Sequence, residues 1–118
     1  MENIKRIREN GTVTDNRILD ALVIGTLYRG SAGASFKELV HAFGQPTRRE
    51  PYEDGRIDAE WLIITPAGPA TIYNYKDGRA YLGDRGLPAE EINNWHIGGH
   101  NFEVVARVRQ AIKESGVK

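Results

Sequence analysis

The sequence predicts an α+β domain in which two helices pack on a mainly antiparallel sheet of about four strands, in the order β-α-β-β-β-α. Two observations predict this class. Residues 60–65 and 70–76 are β-rich runs separated by a short turn, as in a hairpin. Residues 36–43 and the segment that follows Asn101 instead repeat apolar side chains at helical spacing. An amphipathic helix of this kind buries its apolar stripe against one face of a sheet.

The first strand is predicted at 21–28, "ALVIGTLY". Leu22 and Ile24 share one face of this run, and the positions between them and after them are mostly apolar as well. We therefore expect a central strand that is covered on both faces. Gly25 lies inside the run, which suggests that another backbone or a ligand comes close there.

The first helix has the clearest local pattern in the chain. Ser35 followed by Glu38 is a capping box, and Gly44 with Pro46 ends the helix. Its predicted buried stripe consists of Phe36, Leu39, Val40 and Phe43.

The predicted hairpin runs from "EWLIIT" at 60–65 through "PAGP" to "ATIYNYK" at 70–76. Thr71, Tyr73 and Tyr75 share one face of its second strand because side chains alternate along a strand. We expect the two tyrosines to pack in the core or at a subunit contact rather than against a bound base.

A glycine-rich, charged loop at 77–91 follows the hairpin and is long for a compact domain. Such a loop is typical of a lid, a contact surface or a small excursion with its own structure. A short strand at 93–97 and a second helix from Asn101 complete the order. The predicted buried stripe of that helix consists of Phe102, Val105, Val108 and Ile112.

Composition limits the class of protein. The 118 residues, 40% of them hydrophobic, suffice for one core, so we expect a polar arm at 1–19 and one domain at 20–118. Lysine plus arginine total 16, as do aspartate plus glutamate, so no net charge draws the chain to duplex nucleic acid or to an anionic membrane. Cysteine is absent, and neither a membrane-spanning run nor a secretory signal pattern is found. These features favour a cytoplasmic protein.

The stretch "WHIGGHN", 95–101, is the first candidate binding site. Gly98 and Gly99 fall where the last strand is expected to end and the second helix to begin, with Asn101 placed to cap it. Backbone amides at such a junction, together with the positive end of the helix dipole, can hold a phosphate or carboxylate. The alternative is that the glycines only let the chain turn tightly.

Neighbouring side chains extend this candidate site. His96 and His100 flank the glycines, and Trp95 offers an aromatic platform. In "LYRG", 27–30, Tyr28 can stack on a base and Arg29 can grip a phosphate through two hydrogen bonds. Lys76 at the end of the hairpin is a further cation. For each of these side chains the alternative is an exposed strand end or a core position.

No metal site, cofactor or catalytic residue is predicted. His96 and His100 have HxxxH spacing, but the glycines between them remove the helical geometry that gives this spacing meaning. The chain has no nucleophile elbow, no Walker loop and no dinucleotide fingerprint after a strand. The residues therefore favour a binding protein over an enzyme, although either histidine has the acid–base chemistry for catalysis.

Five segments taken together resemble a family of small proteins encoded by bacteriophages and other large DNA viruses. These segments are "GTLYRG", "SFKELVHAFGQPT", "DGRIDAEWLI", "ATIYNYK" and "WHIGG", and they cover roughly residues 22–101. The resemblance implies a phage protein that acts in the cytoplasm of an infected bacterium. A small phage protein of this kind is similar to the anti-defence sponges, which sequester nucleotide second messengers of bacterial immune systems.

The functional expectation is therefore a non-catalytic anti-defence protein that binds a cyclic oligonucleotide or a ligand of the cyclic ADP-ribose type, assembled as a homo-oligomer. Two alternatives remain. One is a protein-binding inhibitor that docks on a host enzyme through the loop at 77–91. The other is a small nucleotide-processing enzyme that uses His96 or His100 as its acid or base.

Overall fold

This computed structural model describes residues 3–8, 13–17, 25–49, 57–75 and 78–115. These residues form one six-stranded mixed sheet with helices packed on it. The strands are β1 (Asn3–Ile7), β2 (Val13–Arg17), β3 (Leu27–Ala32), β4 (Glu60–Thr65), β5 (Gly68–Tyr73) and β6 (Trp95–Gly99). Their order across the sheet is β2-β1-β4-β5-β6-β3. The helices are α1 (Phe36–Phe43), a single turn α2 (Arg79–Leu82), and α3 (Glu103–Glu114). The α+β class is thus confirmed, with more strands than predicted.

The N-terminal segment, predicted as a polar arm at 1–19, contributes two of these strands instead. β1 pairs antiparallel with β2 and parallel with β4, where Lys5 lies opposite Ile63. The side chain of Ile4 is completely buried. A run as short as "IKRI" is marginal as an isolated helix. Pairing with a strand from the middle of the chain supplies the hydrogen bonds and burial that local propensity lacks.

The first strand of the predicted domain also differs from expectation. β3 begins at Leu27, and within the described residues it pairs on one side only, with β6. It is therefore an edge strand there, not a central one. Gly25 has a φ of 85°, a left-handed conformation suited to a turn before the strand. Residues 21–24, with Leu22 and Ile24, lie outside the described residues.

The predicted first helix is confirmed. The Ser35 hydroxyl oxygen accepts the backbone N–H of Glu38 at 3.1 Å, and the Glu38 carboxylate accepts the backbone N–H of Ser35 at 2.9 Å. Gly44 ends the helix with a φ of 84°. Of the predicted stripe, Phe36, Leu39 and Phe43 are buried and Val40 is half-buried.

The predicted hairpin is confirmed with a tighter turn. β4 and β5 pair in register from Glu60 opposite Tyr73 to Thr65 opposite Gly68, so Pro66 and Ala67 alone form the turn. Gly68 has a φ of 117°, which lets the second strand start earlier than the predicted residue 70. Lys76 lies outside the described residues.

The second long helix begins two residues later than predicted, which changes its buried stripe. Phe102 is 68% exposed, whereas Val104 is completely buried. Val105 and Val108 are buried as predicted and Ile112 is half-buried. Because the chain is still in a turn at Phe102, that side chain is not in phase with the rest of the helix.

Helices α1 and α3 lie on the same face of the sheet and enclose an aromatic core. Trp61 and Trp95 are fully buried and meet edge to face, with ring centroids 5.2 Å apart. Phe36 of α1 packs against both tryptophans. The segment after β5 has its own short turns, at 79–82, 83–85 and 89–91. No helix in the described residues is long and apolar enough to cross a membrane.

Candidate binding site

The face of the sheet opposite the helices holds a cavity of about 580 Å³. The alternation of side chains along four neighbouring strands creates this cavity. Glu60, Tyr73 and His96 lie side by side across β4, β5 and β6. Thr71, Gly98 and Tyr28 form a second row across β5, β6 and β3. The intervening positions face the helices. The lining residues are Thr26, Leu27, Tyr28, Arg48, Ile57, Glu60, Thr71, Tyr73, Tyr75, His96 and Gly98.

Aromatic rings dominate the wall of this cavity. The His96 ring centroid is 5.2 Å from that of Tyr28, 5.4 Å from that of Tyr73 and 6.1 Å from that of Tyr75. Tyr28 is 57% exposed and Tyr75 is 41% exposed. Aromatic groups at these separations attract each other through edge-to-face and tilted arrangements. The cluster is thus preformed, and its outer rings remain accessible to a ligand.

Gly98 forms part of the cavity floor. A Cβ at this position would lie 2.7 Å from the Thr71 hydroxyl oxygen and 3.5 Å from Cε1 of Tyr73. The φ of Gly98 is not in the left-handed region. Glycine is therefore needed here for space and not for a turn, because any side chain would occupy the floor.

Two charged residues, Arg48 and Glu60, line the cavity. The backbones of Arg48 and Glu60 exchange two hydrogen bonds, of 3.0 and 2.8 Å. Their side chains approach to 3.9 Å between Nη1 and Oε1. Glu60 is only 8% exposed. The carboxylate is therefore held among the aromatic rings beside a guanidinium, and the two formal charges balance.

The environment also affects the phenol of Tyr73. Burial raises its pKa above the ordinary value of 10.0, and the negative charge of Glu60 and the phenols of Tyr28 and Tyr75 raise that pKa further. Tyr73 thus stays protonated at neutral pH and retains a hydroxyl that can donate or accept a hydrogen bond.

The structure brings three of the predicted ligand residues together and separates others from them. Tyr28, His96 and Gly98 line the cavity. Trp95 and Gly99 lie on the helical face. The Trp95 indole is buried and donates to the Ile92 carbonyl oxygen at 3.0 Å, so it is a core residue and not a platform for a ligand.

The glycine pair forms neither the predicted anion-holding junction nor the alternative tight turn, because both glycines lie within β6. Their positions pair with β3 on one side and β5 on the other, so the backbone polar groups serve the sheet. A Cβ on Gly99 would lie 2.5 Å from Cγ2 of Val104. Gly99 therefore allows α3 to approach the sheet closely, which the sequence pattern did not reveal.

Arg29 and Asn101 have structural partners, whereas Lys76 lies outside the described residues. Arg29 donates to the carbonyl oxygens of Gly99 at 2.8 Å and His100 at 3.0 Å, and its guanidinium lies 5.0 Å from the centre of the Phe102 ring. Asn101 donates to the Ala67 carbonyl oxygen. Its side-chain oxygen accepts the backbone N–H of Glu103 at 3.0 Å, but the N-cap of α3 is Phe102, which makes no side-chain capping hydrogen bond, so Asn101 lies one residue before the cap position. Neither Arg29 nor His100 is among the cavity-lining residues.

Sequence reasoning missed Arg48 and Glu60 and assigned Tyr73 and Tyr75 to packing. The shared face of Thr71, Tyr73 and Tyr75 was visible in the alternation, but nothing in the sequence showed that this face lies opposite the helices. Arg48 comes from a polar loop whose partner strand is not evident from local pattern. The pairing of Arg48 with Glu60 had no sequence signal.

No cluster of three or more histidine, cysteine, aspartate or glutamate side chains suited to a metal ion occurs among the described residues. Comparison of the chain with protein-family models, with curated proteins and with solved structures found no match.

Proposed function

We propose that this protein binds a nucleotide in the cavity on the open face of the sheet and sequesters it without changing it chemically. The observation that carries the proposal is the set of tyrosines around His96 above the Gly98 floor. Flat heterocycles bind to such rings by stacking, at roughly 1–3 kcal/mol per base. A cavity of about 580 Å³ is within the range of small-ligand sites, roughly 300–1,000 Å³.

The charge of the site favours recognition of the base over recognition of phosphate. Among the described lining residues, Arg48 and Glu60 are the formally charged ones, and they balance each other. A site built around phosphate would present an excess of cations. In this proposal the base enters the aromatic cluster and the ribose phosphate extends toward solvent at the exposed Tyr28 and Tyr75.

The biological setting of the proposal comes from the resemblance to phage proteins. A protein that holds a nucleotide second messenger tightly lowers its free concentration and blocks the defence pathway that depends on it. Sequestration needs a preformed site, since prior ordering of the rings reduces the entropic cost of binding.

The test captures a ligand from a mixture of nucleotides and then measures how a mutation in the cavity changes its binding. The purified protein is mixed with a pool of nucleotides and cyclic oligonucleotides, washed and heated, and the released material is identified by mass spectrometry. We expect an intact nucleotide. The same ligand should raise the melting temperature, since binding to the folded state alone contributes about 2.7 kcal/mol at 100 times the dissociation constant.

Tyr28→Ala should weaken binding by about tenfold or more, in line with the loss of one stacked ring. Tyr81→Ala is the matched control, because Tyr81 is similarly exposed at 49% but lies on α2 away from the cavity lining. If no member of the pool binds, or if Tyr28→Ala binds as well as the unmodified protein, the proposal is wrong.

A second candidate is an enzyme that acts on the bound nucleotide. The observation in its favour is that an imidazole and a phenol, those of His96 and Tyr73, face the same cavity. Recovery of a chemically altered ligand that depends on His96 would support it. A third possibility, docking on a host protein through 77–91, would return no ligand at all; Tyr81 and Leu87 are the exposed apolar side chains of that segment.

A further inference from the structure

Arg48 and Glu60, which both line the cavity, offer a ligand two different kinds of hydrogen-bonding group. Packing and two backbone hydrogen bonds hold the residues opposite each other. The guanidinium presents only donors and the carboxylate presents only acceptors. Their nearest atoms are 3.9 Å apart. A ligand edge that meets both therefore encounters donors followed directly by acceptors.

Among the common bases, guanine carries the complementary edge. Its N7 and O6 are adjacent acceptors, of the kind that arginine binds in bidentate fashion. The N1–H and N2–H groups that follow O6 are adjacent donors, which match the two oxygens of a carboxylate. Adenine places a donor, N6–H, between two acceptors, N7 and N1. In the same orientation, the N6–H donor of adenine would face the donors of the guanidinium, and the N1 acceptor would face the acceptors of the carboxylate.

We propose that Arg48 and Glu60 make this cavity selective for guanine, with Arg48 reading N7 and O6 and Glu60 reading N1–H and N2–H between the aromatic rings. This inference rests on the proposed nucleotide binding and specifies the base. Glu60 at 8% exposure has little water to compensate for a mismatched edge. A buried polar group left opposite the wrong partner discriminates strongly between ligands.

Calorimetry with GMP, IMP and AMP tests the proposal on the unmodified protein. The three nucleotides share the ribose phosphate and the purine ring. IMP lacks only the N2 amino group, and AMP reverses the donor and acceptor order. We expect GMP to bind most tightly, IMP about tenfold more weakly and AMP weaker still, because each bidentate contact discriminates against the wrong base.

Glu60→Gln provides the matching protein variant, since the amide keeps the shape of the side chain but replaces one acceptor with a donor. GMP binding should weaken by about tenfold or more, and the preference for GMP over IMP should shrink. Glu90→Gln is the control, because Glu90 is an exposed carboxylate that does not line the cavity.

The outcomes separate this inference from the function on which it rests. If the nucleotides bind in a Tyr28-dependent way but AMP equals or exceeds GMP, guanine selectivity is wrong and nucleotide binding stands. If none of the three binds but another member of the nucleotide pool does, guanine selectivity is wrong and nucleotide binding stands; if no member of the pool binds either, both are wrong. The comparison of GMP, IMP and AMP uses the unmodified protein, so it decides the question even if Glu60→Gln fails to fold.

Discussion

At the scale of single residues, neighbouring glycines in β6 have different roles because side chains on a strand alternate. A Cβ on Gly98 would enter the cavity, whereas one on Gly99 would meet Val104 of α3. Neither residue has the left-handed backbone of a turn. Glycine is therefore required at position 98 to leave room in the cavity, and at position 99 to leave room for Val104 of α3.

We predict that Gly98→Ala and Gly99→Ala have separable effects. Gly99→Ala should lower the free energy of unfolding by about 1–3 kcal/mol through overpacking against Val104, and the folded protein should still bind its ligand. Gly98→Ala should weaken ligand binding by about tenfold because the new methyl group occupies the floor, and it should also lower stability because its Cβ would lie 2.7 Å from the Thr71 hydroxyl oxygen. Urea denaturation and calorimetry measure the two quantities.

The control for both variants is Gly33→Ala, because a Cβ at Gly33 meets nothing within 4 Å. A Gly99→Ala protein that is as stable as Gly33→Ala would contradict the close approach of α3. A Gly98→Ala protein with undiminished ligand binding would show that the ligand does not reach the floor of the cavity.

The phenol of Tyr73 predicts a pH dependence of stability. Burial, reinforced by Glu60, raises its pKa above 10.0 in the folded protein, so the folded state holds this proton more tightly than the unfolded state. The resulting stabilisation is fully present below pH 10 and is lost as pH rises through the folded pKa. Denaturation at a series of alkaline pH values should show a decline that is shallower in Tyr73→Phe. Identical slopes in both proteins would contradict the assignment.

At the scale of secondary-structure elements, β1 joins the N-terminal segment to the middle of the chain. Its parallel pairing with β4 places Ile4, which is completely buried, against the sheet. Ile7 of the same strand is 6% exposed and belongs to the main core. The strand is thus an integral part of the fold, although it is short and two of its five residues are charged.

We predict that Ile4→Ala lowers the free energy of unfolding by about 2–5 kcal/mol, the cost of a cavity in a buried site. Arg6→Ala on the same strand is the control, since Arg6 is exposed, and it should change stability by no more than about 0.5 kcal/mol. Chemical denaturation measures both. Equal effects would mean that β1 does not pack as the structure shows.

At the scale of the whole molecule, the six strands have helices on one face and a ligand-sized cavity on the other. The helical face is closed by Trp61, Trp95 and Phe36. The opposite face collects polar and aromatic side chains of four described strands. An antiparallel sheet with one packed face leaves the other free for such a site.

The predicted homo-oligomer stays a prediction at this scale, and β3 is the surface we expect it to use. Among the described strands β3 has a neighbour on one side only, and Leu27 and Phe102 beside it are 63% and 68% exposed. Unpaired strand edges favour pairing with another chain. Light scattering at tens of micromolar protein should report a dimer or larger assembly.

Variants of exposed aromatic residues locate the contact. Phe102→Ser should shift the assembly toward monomer, whereas Tyr81→Ser should leave it unchanged. The opposite result would place the contact in the segment 77–91. A monomer at every concentration tested would contradict self-association altogether.

The sequence by itself determined the features that depend on neighbouring residues. The capping box at Ser35 and Glu38 and the end of α1 at Gly44 are as predicted, and the β4–β5 hairpin is present as predicted but with a tighter turn, because caps, turns and alternation act within a few residues. The same alternation placed Thr71, Tyr73 and Tyr75 on one face. Local pattern also predicted the α+β class.

The contacts that those faces make with other parts of the chain depend on the tertiary structure. It placed β1 beside β4, β3 at the edge of the described sheet, Arg48 opposite Glu60, and Arg29 on the carbonyl oxygens that follow β6. It also assigned Gly98 to a cavity and Gly99 to a helix contact. These relations join residues far apart in the chain, and periodicity specifies how a strand alternates but not which partner it pairs with or which of its faces becomes covered.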